Sequence, residues 1–212
     1  VLDKSVTYED GVFIEPFGCV CRAQRLANVG KGLTVLILGS GVSGILHAQL
    51  AKLRGAKKVF ATDINDYRLR KIQDFGADEI FHANEDIPSK LLEFNDNKLA
   101  DIVIVCTGAL SAANQALICV APGGTVIFFA VPGPGVNLEV PINDYWRNEI
   151  TITTSYGAAP EDLQESYVWI LSKRINVSEL ITHRFPLNQA GEAFKIVIEA
   201  TESLKVVIEP DK

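Results

Sequence analysis

A glycine-rich hexapeptide lies between a buried strand and a helix, and no other feature of the sequence restricts the fold as strongly. Residues 39–44 read G-S-G-V-S-G, a G-x-G-x-x-G pattern. The apolar run Thr34–Leu38 precedes it directly, and Ser43–Arg54 follows with the apolar spacing of a largely buried helix. Glycines also mark ordinary turns, but a glycine-rich turn that joins such a strand to such a helix is typical of a dinucleotide-binding fold.

Each glycine of this loop has its own expected role. Gly39 allows the tight turn, Gly41 lets the backbone approach a pyrophosphate, and Gly44 lets the helix pack against the strand. The helix N-terminus adds unpaired N–H groups and a partial positive charge for the phosphates. The loop residues that we expect to contact the cofactor are Gly39, Ser40, Gly41, Val42, Ser43 and Gly44.

An acidic residue at the end of the next strand completes the pattern. Asp63 ends the run V-F-A-T-D, 19 positions after Gly44. A carboxylate there accepts hydrogen bonds from the adenosine ribose hydroxyls and repels a 2′-phosphate, so the sequence predicts NAD in preference to NADP. Arg68, Arg70 and Lys71 follow and could weaken that preference. We favour an exposed helix face for this basic group, and keep Arg68 as a candidate cofactor contact.

Strands alternate with helices through the middle of the chain. The predicted strands are Thr34–Leu38, Lys58–Thr62, Glu79–His82, Asp101–Val105, Thr125–Phe129 and Ile150–Thr154. The predicted helices between them are Ser43–Arg54, Asp66–Phe75, Asp86–Phe94 and Leu110–Val120. Such alternation requires parallel strands and right-handed crossovers. The sequence therefore predicts an α/β fold, a doubly wound, parallel six-stranded Rossmann sheet with strand order 3-2-1-4-5-6.

Ligands of such sheets bind beyond the carboxyl ends of the strands. Three further pairs of residues follow strands four, five and six, and the last two pairs are expected to flank the nicotinamide. These pairs are Thr107 with Gly108, Val131 with Pro132, and Ser155 with Tyr156.

Composition excludes several other kinds of partner. A net charge of −6 argues against nucleic acid, which usually requires a basic face. The 37 residues from Ile102 to Leu138 carry no charge, but Pro-Gly turns interrupt them, so we expect buried strands and no membrane span. Four cysteines without a C-x-x-C pair, and no visible secretion signal, indicate a reduced, cytoplasmic setting.

The order and spacing of several short segments resemble one family. The segments are I-E-P at 14–16, G-K-G-L-T-V-L-I-L-G-S-G-V-S-G at 30–44, D-I-N-D-Y-R-L at 63–69, F-G-A-D at 75–78, V-C-T-G at 105–108, A-P-G-G-T-V at 121–126 and I-T-H-R-F-P-L at 181–187. Across nearly its whole length the sequence is similar to the medium-chain, zinc-type alcohol and polyol dehydrogenases, such as sorbitol and threonine dehydrogenases.

The resemblance implies hydride transfer between an alcohol and NAD, with a zinc ion that polarises the substrate oxygen. The family takes its Cys and His zinc ligands from an N-terminal, GroES-like domain that this sequence lacks. Glu15 matches a metal-linked glutamate of polyol-type members, or it is a carboxylate at a helix start. Lys205 matches a basic residue that reaches the pyrophosphate, or it is a solvated lysine. Cys19 and Cys21 are expected to be buried small residues, and His47, His82 and His183 to be structural.

The resemblance also implies the domain organisation and the assembly. Residues 1–15 are expected to be a stub of the catalytic domain, 16–155 the NAD-binding domain, and 156–212 a segment that returns to the catalytic domain. The sequence contains no Met and opens at Val1, which fits an excised piece of a longer protein. Relatives pair strand six edge to edge, so we expect a homodimer or homotetramer with a small alcohol as substrate.

Three other classes were compared. A short-chain dehydrogenase requires Y-x-x-x-K after strand five, and the match at Tyr67 and Lys71 lies after strand two, so that class fails. A zinc-independent, quinone-reductase-like member stays open, although such proteins usually prefer NADPH and lack the acid at Asp63. A non-catalytic NAD(H)-binding regulatory module also stays open, but it would lack the flanking segments at 15–17 and 181–187.

Overall fold

A computed structural model describes residues 3–210, which fold around a parallel sheet of six strands. These strands are β1 (Thr34–Leu38), β2 (Lys58–Asp63), β3 (Glu79–His82), β4 (Ala100–Val105), β5 (Val120–Phe128) and β6 (Thr151–Thr154). Residues 1–2 and 211–212, the outermost parts of the two predicted flanking segments, lie outside the described range. The strand order is β3-β2-β1-β4-β5-β6, which confirms the prediction from the sequence.

Nine α-helices, two short 3-10 helices (Ser178–Leu180 and Leu187–Gln189) and a second, smaller sheet complete the part of the chain that is described. The helices are α1 (Tyr8–Gly11), α2 (Ile14–Leu26), α3 (Val42–Leu53), α4 (Asp66–Asp74), α5 (Ile87–Phe94), α6 (Leu110–Cys119), α7 (Ile142–Arg147), α8 (Pro160–Leu171) and α9 (Ala190–Glu199). The small sheet consists of β7 (Ile181–Pro186) and β8 (Lys205–Glu209). Within residues 3–210, no helix is both long enough and apolar enough to cross a membrane.

The central strand β1 is buried on both faces, as its unbroken apolar sequence requires. Val35 and Ile37 pack into a hydrophobic core that also contains residues of α2 and α3. Leu36 and Leu38 point the other way, into a core formed with residues of α5 and α6. This alternation gives the sheet two hydrophobic cores and places helices on both of its faces.

Two parts of the central fold differ from the sequence prediction. β5 begins at Val120, where we expected a helix to end, because Val120 pairs with Ala100 and the register then shifts before Thr125 pairs with Ile102. The helix α7 was not predicted at all. It has only six residues and no apolar repeat, and its position depends on the buried Tyr145, whose hydroxyl donates to the carbonyl oxygen of Leu117 at 3.0 Å.

Beyond Thr154 the sequence predicts helices at Glu161–Ser172 and Leu187–Ala200 and a last strand at Leu204–Ile208, without further alternation of strand and helix. The structure differs, because the C-terminal segment continues the alternation. β7 and β8 are parallel neighbours, and α9 lies between them in the chain. The two predicted helices are therefore present as α8 and α9 and the predicted last strand as β8, but β7 was missed. Its sequence I-T-H-R-F-P is half polar and ends in proline, so it carries little of the apolar signal that identifies buried strands.

A buried carboxylate joins α2 to α8. The side chain of Asp162 is inaccessible to solvent, and its Oδ1 accepts hydrogen bonds from Arg25 at 2.8 and 3.1 Å. Its Oδ2 accepts the N–H of Ala159 at 2.9 Å and lies 3.5 Å from Arg22. Burial alone would raise the pKa of Asp162, but these donors outweigh burial and lower it. The charged form is therefore the one that the fold stabilises.

We expect Asp162→Ala to lower the free energy of unfolding by about 2–3 kcal/mol, because two partly exposed arginines and a helix N-terminus lose their acceptor. The neighbouring, exposed Glu161 is the control, and Glu161→Ala is expected to cost less than about 0.5 kcal/mol. Urea unfolding at about pH 7 measures both. Since the folded-state pKa is lowered, the stabilisation is present above the unfolded-state value of about 3.9 and is lost as the pH falls through the folded-state pKa. Equal effects of the two substitutions would contradict this role.

Candidate functional site

A cleft of about 270 Å³ opens at the carboxyl ends of β1, β2 and β4. This edge of the sheet is where the strand order predicts a ligand. Five of the residues predicted from the sequence line the cleft, namely Gly39, Gly41, Asp63, Arg68 and Thr107. Residues from four separate loops and helices therefore meet at one site.

The glycine loop packs so tightly that two of its positions require glycine. Gly39 has φ of +104°, and a Cβ there would lie 3.2 Å from the carbonyl carbon of Cys106. A Cβ on Gly44 would lie 2.0 Å from the carbonyl oxygen of Gly39, which no packing rearrangement of side chains could relieve. Gly41 is different, because a Cβ there would meet nothing within 4 Å. The backbone at Gly41 is thus open toward the cleft.

The start of α3 follows this open position. The N-cap is Gly41, and no side chain caps the helix. The first N–H groups of a helix lack intrahelical acceptors, so Val42, Ser43 and Gly44 present donors at the positive end of the helix dipole. Ser40 contributes in another way, because its buried hydroxyl donates to the carbonyl oxygen of Thr62 at 3.1 Å.

Asp63 fixes the loops on both sides of the cleft. Its Oδ2 accepts the N–H of Ser40 at 2.7 Å, and its Oδ1 accepts the N–H of Asn65 at 2.9 Å. The carboxylate is mostly buried but still lines the cleft. From the sequence we predicted only a ligand-binding role for Asp63, because hydrogen bonds to backbone groups leave no signal in residue spacing.

Arg68 lies on α4 beside this carboxylate. We favoured an exposed helix face for Arg68, Arg70 and Lys71, but only Arg70 is exposed, and Arg68 is half-buried against the cleft. Its Nε is buried and has no hydrogen-bond partner among the described residues. The backbone N–H of Arg68 instead donates to the Asn65 side chain that caps α4, at 3.2 Å. A cationic side chain therefore lines the same cleft as the Asp63 carboxylate.

Several lining residues were not predicted. They come from the loops after β2 and β3, from the residue that follows β4 and from α6, and include Ile64, Asn84, Cys106, Ser111 and Gln115. Gln115 donates to the carbonyl oxygen of Ala83 at 3.1 Å and ties the β3 loop to α6. The residues of the β3 loop could have been predicted to line the cleft, because they follow the carboxyl end of a strand and ligands of such sheets bind there.

The remaining predicted residues lie away from the lining of this cleft. A Cβ on Gly108 would lie 3.1 Å from the carbonyl oxygen of Val131, so those two loops touch. Ser155 donates its N–H to the carbonyl oxygen of Phe128, and its buried hydroxyl has no partner among the described residues. Tyr156 is 99% exposed. The other two residues are Pro132, which is half-buried, and Lys205, whose Nζ lies 5.6 Å from the ring centre of Phe13.

Glu15 lies exposed in the first turn of α2. The thiol of Cys19, one turn later, donates to its Oε1 at 3.3 Å. Partial burial, followed by this carboxylate, raises the pKa of Cys19 to about 11. Cys19 is half-buried and Cys21 fully buried, so our expectation of two buried cysteines is correct only for Cys21. In residues 3–210, no group of three His, Cys, Asp or Glu side chains could hold a metal.

A family model described as zinc-binding dehydrogenase matches residues 43–172, which cover most of the large sheet. The chain belongs to the zinc-binding dehydrogenase family. This membership confirms the resemblance to the medium-chain, zinc-type alcohol and polyol dehydrogenases. Neither alternative class, the quinone reductase or the regulatory module, is favoured by the match.

Known members of the zinc-binding dehydrogenase family resemble the whole chain. Sorbitol dehydrogenase of Mus musculus is 32% identical over 213 residues, which span 99% of this chain and 58% of the relative. A crystal structure of a candidate zinc-binding dehydrogenase from Sinorhizobium meliloti, bound to NADP, has a TM-score of 0.91 at 25% identity and covers 99% of this chain and 61% of its own. The structure of a similar protein from Clostridium scindens has a TM-score of 0.92 at 25% identity. The match covers 100% of this chain and 59% of the Clostridium scindens chain. The chain thus spans about three fifths of the length of these relatives.

The contrast between Gly44 and Gly41 gives a test that requires no ligand. We expect Gly44→Ala to lower the free energy of unfolding by about 2–4 kcal/mol, because its Cβ would collide with a backbone oxygen. Gly41→Ala is the matched control, and its open, extended backbone should keep stability within about 0.5 kcal/mol of the unmutated chain. Thermal and urea unfolding measure both. A Gly44→Ala protein as stable as the control would show that the loop is packed less tightly than described.

Proposed function

We propose that this chain is the cofactor-binding portion of a NAD-dependent alcohol or polyol dehydrogenase. The observation that carries the proposal is the convergence of the open glycine loop, the start of α3 and the Asp63 carboxylate on one cleft. Phosphates require N–H donors, and ribose hydroxyls require a carboxylate acceptor. The N-cap of α3, Gly41, and the carboxylate Asp63 line the same cleft, which supports the proposal.

The lining residues divide the proposed site into parts. The pyrophosphate would lie against the N–H groups that begin α3, where the backbone at Gly41 leaves room. The adenosine ribose would bind Asp63, and its base would pass Ile64 and Arg68. The nicotinamide, which supplies the hydride acceptor, would reach the loops after β5 and β6, where Val131, Pro132, Ser155 and Tyr156 lie. Thr107 and Gly108 lie between these parts.

Charge supports NAD in preference to NADP. A 2′-phosphate would approach the Asp63 carboxylate, which is held in place by two backbone N–H groups. The guanidinium of Arg68 opposes this effect in part, and the relative from Sinorhizobium meliloti was solved with NADP. The Asp63 carboxylate is fixed by two hydrogen bonds, whereas the Nε of Arg68 has no partner among the described residues. We therefore give more weight to the carboxylate and propose NAD as the cofactor. Lys205 stays a prediction that rests on the resemblance alone.

A catalytic zinc requires ligands beyond the residues described. A zinc ion in a dehydrogenase site polarises the alcohol oxygen and takes three protein ligands. Glu15 with Cys19 is the nearest approach to such a set, so we propose that Glu15 contributes at or near the zinc and that the other ligands lie elsewhere in the protein. Sorbitol dehydrogenases are among the relatives, which supports a polyol or secondary alcohol as substrate.

The C-terminal segment, residues 156–212, is proposed to return to a second domain. The helix α9 supports this, because three large apolar side chains on it, Phe194, Val197 and Ile198, are exposed. Exposed apolar clusters of this kind usually mark a contact surface. A cytoplasmic location is also proposed, since all four cysteines are free thiols.

We expect Asp63→Ala to weaken NADH binding about 10- to 100-fold, because two hydrogen bonds to an ionised group are lost. The same substitution should narrow the preference for NADH over NADPH, since it removes the repulsion. Fluorescence titration of the isolated chain measures both dissociation constants. Asp74→Ala, at an exposed position of the neighbouring helix α4, is the control and should change neither. Tighter binding of NADPH than of NADH by the unmutated chain would overturn the cofactor assignment.

The edge of the sheet supports self-association through β6. β6 is the last strand of the six, so among the described residues 3–210 one of its sides has no neighbour in the sheet. Beside it, the apolar side chains of Ile142, Trp146 and Ile152 are 73%, 74% and 39% exposed. An apolar edge strand readily pairs with another strand. We therefore propose a homodimer, or a homotetramer built from such dimers, that pairs two copies of β6.

Ile152→Lys tests this interface, because a lysine on an edge strand opposes pairing. We expect the unmutated chain to sediment as a dimer or larger assembly and the variant to sediment as a monomer. Ile198→Lys, which adds the same charge to the exposed face of α9, should leave the assembly unchanged. A monomer at all concentrations for the unmutated chain would overturn the proposed pairing of β6.

A further inference from the structure

The histidine at the end of β3 connects two loops of the cleft. His82 pairs in register with Asp63, so it stands beside the carboxylate that is proposed to bind ribose. Its Nε2 lies 3.2 Å from the carbonyl oxygen of Ile64, in the loop after β2. Its Nδ1 lies 3.3 Å from the backbone nitrogen of Asn84, in the loop after β3. Both Ile64 and Asn84 line the cleft.

These two contacts assign the tautomer of the ring. The N–H of Asn84 can only donate, so Nδ1 is the acceptor and carries no proton. The carbonyl oxygen of Ile64 can only accept, so Nε2 carries the proton and donates it. Neutral His82 thus uses each ring nitrogen once, and only the Nε2 contact crosses from one loop to the other. The Nδ1 contact spans two residues and is local to the β3 loop.

The other hydrogen bonds described for these two loops do not involve the carbonyl oxygen of Ile64, which His82 binds. In the β2 loop, Asp63 accepts the N–H of Asn65, which fixes the residue after Ile64. In the β3 loop, Gln115 holds the Ala83 carbonyl from the α6 side, and the N–H of His82 donates to Glu85 at 2.7 Å. The β2 loop is also tied to the C-terminal turn through the side chain of Asn65, and the N–H of Ala83 donates to the carbonyl oxygen of Asp63 at 3.0 Å. The bond from His82 to Ile64 adds a side-chain link between the two loops, one residue beyond this backbone contact.

We propose that His82 is a positioning residue for the adenosine end of the dinucleotide site. It acts by holding the Ile64 peptide, and hence the loop that follows Asp63, against the β3 loop. The inference rests on the proposed function, since it concerns how the same cleft is kept in its binding geometry. It replaces our expectation from the sequence that His82 is merely structural, because its contacts are to backbone groups of two lining residues.

Three substitutions separate the two ring contacts. His82→Ala removes both. His82→Gln places an amide nitrogen near the position of Nε2 and can still donate to Ile64, whereas His82→Asn places an amide oxygen near Nδ1 and can still accept from Asn84. We expect Ala and Asn to raise the dissociation constants of NADH and of ADP-ribose about three- to tenfold, and Gln to restore both to within about twofold. His183→Ala, a histidine of β7, is the control and should bind as the unmutated chain does.

The comparison of NADH with ADP-ribose locates the effect. ADP-ribose lacks the nicotinamide, so a bridge at the adenosine end must affect both ligands equally. Loss of NADH affinity alone would overturn the inference, as would equal rescue by Asn and Gln, or unchanged affinity in His82→Ala. Thermal unfolding temperatures within about 2 °C of the unmutated chain are expected for all three variants, which excludes global unfolding as the cause.

A measurement without cofactor separates this inference from the proposed function. Amide hydrogen exchange in the free chain should show faster exchange at Asn84 in the Ala variant but not in the Asn variant, since Asn keeps the acceptor. If the unmutated chain bound neither NADH nor ADP-ribose, the proposed function would fail, and the positioning role would fail with it. If it bound both and the Ala variant bound them equally well, only the positioning role would fail.

Discussion

The contact between α3 and the end of β1 is the constraint on which the rest of the cleft depends. Gly44 lies so close to the carbonyl oxygen of Gly39 that no side chain fits between them. Only residues 39–41 therefore separate the end of the strand from the start of the helix, and the N-cap of the helix, Gly41, lines the cleft. Asp63 then holds the glycine loop from the neighbouring strand through the N–H of Ser40. The close approach of two backbone segments therefore sets the shape of the site, and the side chain of Asp63 holds that shape in place.

Much of this arrangement could be predicted because it depends on patterns within short stretches of sequence. The apolar runs identified all six strands of the sheet, and their alternation with helices gave the correct strand order. The spacing from the glycine loop to Asp63 identified the first two strand ends that form the cleft. Buried parallel strands have a strong sequence signal, because both of their faces must be apolar.

The remainder depends on contacts that residue types do not encode. Two side chains hold the β3 loop at the cleft. A ring nitrogen of His82 bonds to the carbonyl oxygen of Ile64, and the amide of Gln115 bonds to the carbonyl oxygen of Ala83. Any polar residue can make such a bond, so the sequence does not mark these positions. The strand β7 and the helix α7 were missed for a related reason. β7 is half polar and α7 is short, and a tertiary contact, the hydrogen bond of the Tyr145 hydroxyl, helps to position α7.

The cap of α4 has a consequence for the order in which the molecule is completed. Asn65 caps this helix with its side-chain oxygen, while its side-chain nitrogen donates to the carbonyl oxygens of Ala200 and Thr201 at 3.2 and 2.8 Å. These partners lie 135 and 136 residues further along the chain. During synthesis from the N-terminus, the large sheet is complete long before residues 200 and 201 emerge. Until then this amide nitrogen is hydrated, so the loop beside Asp63 gains its last restraint only when the C-terminal turn docks.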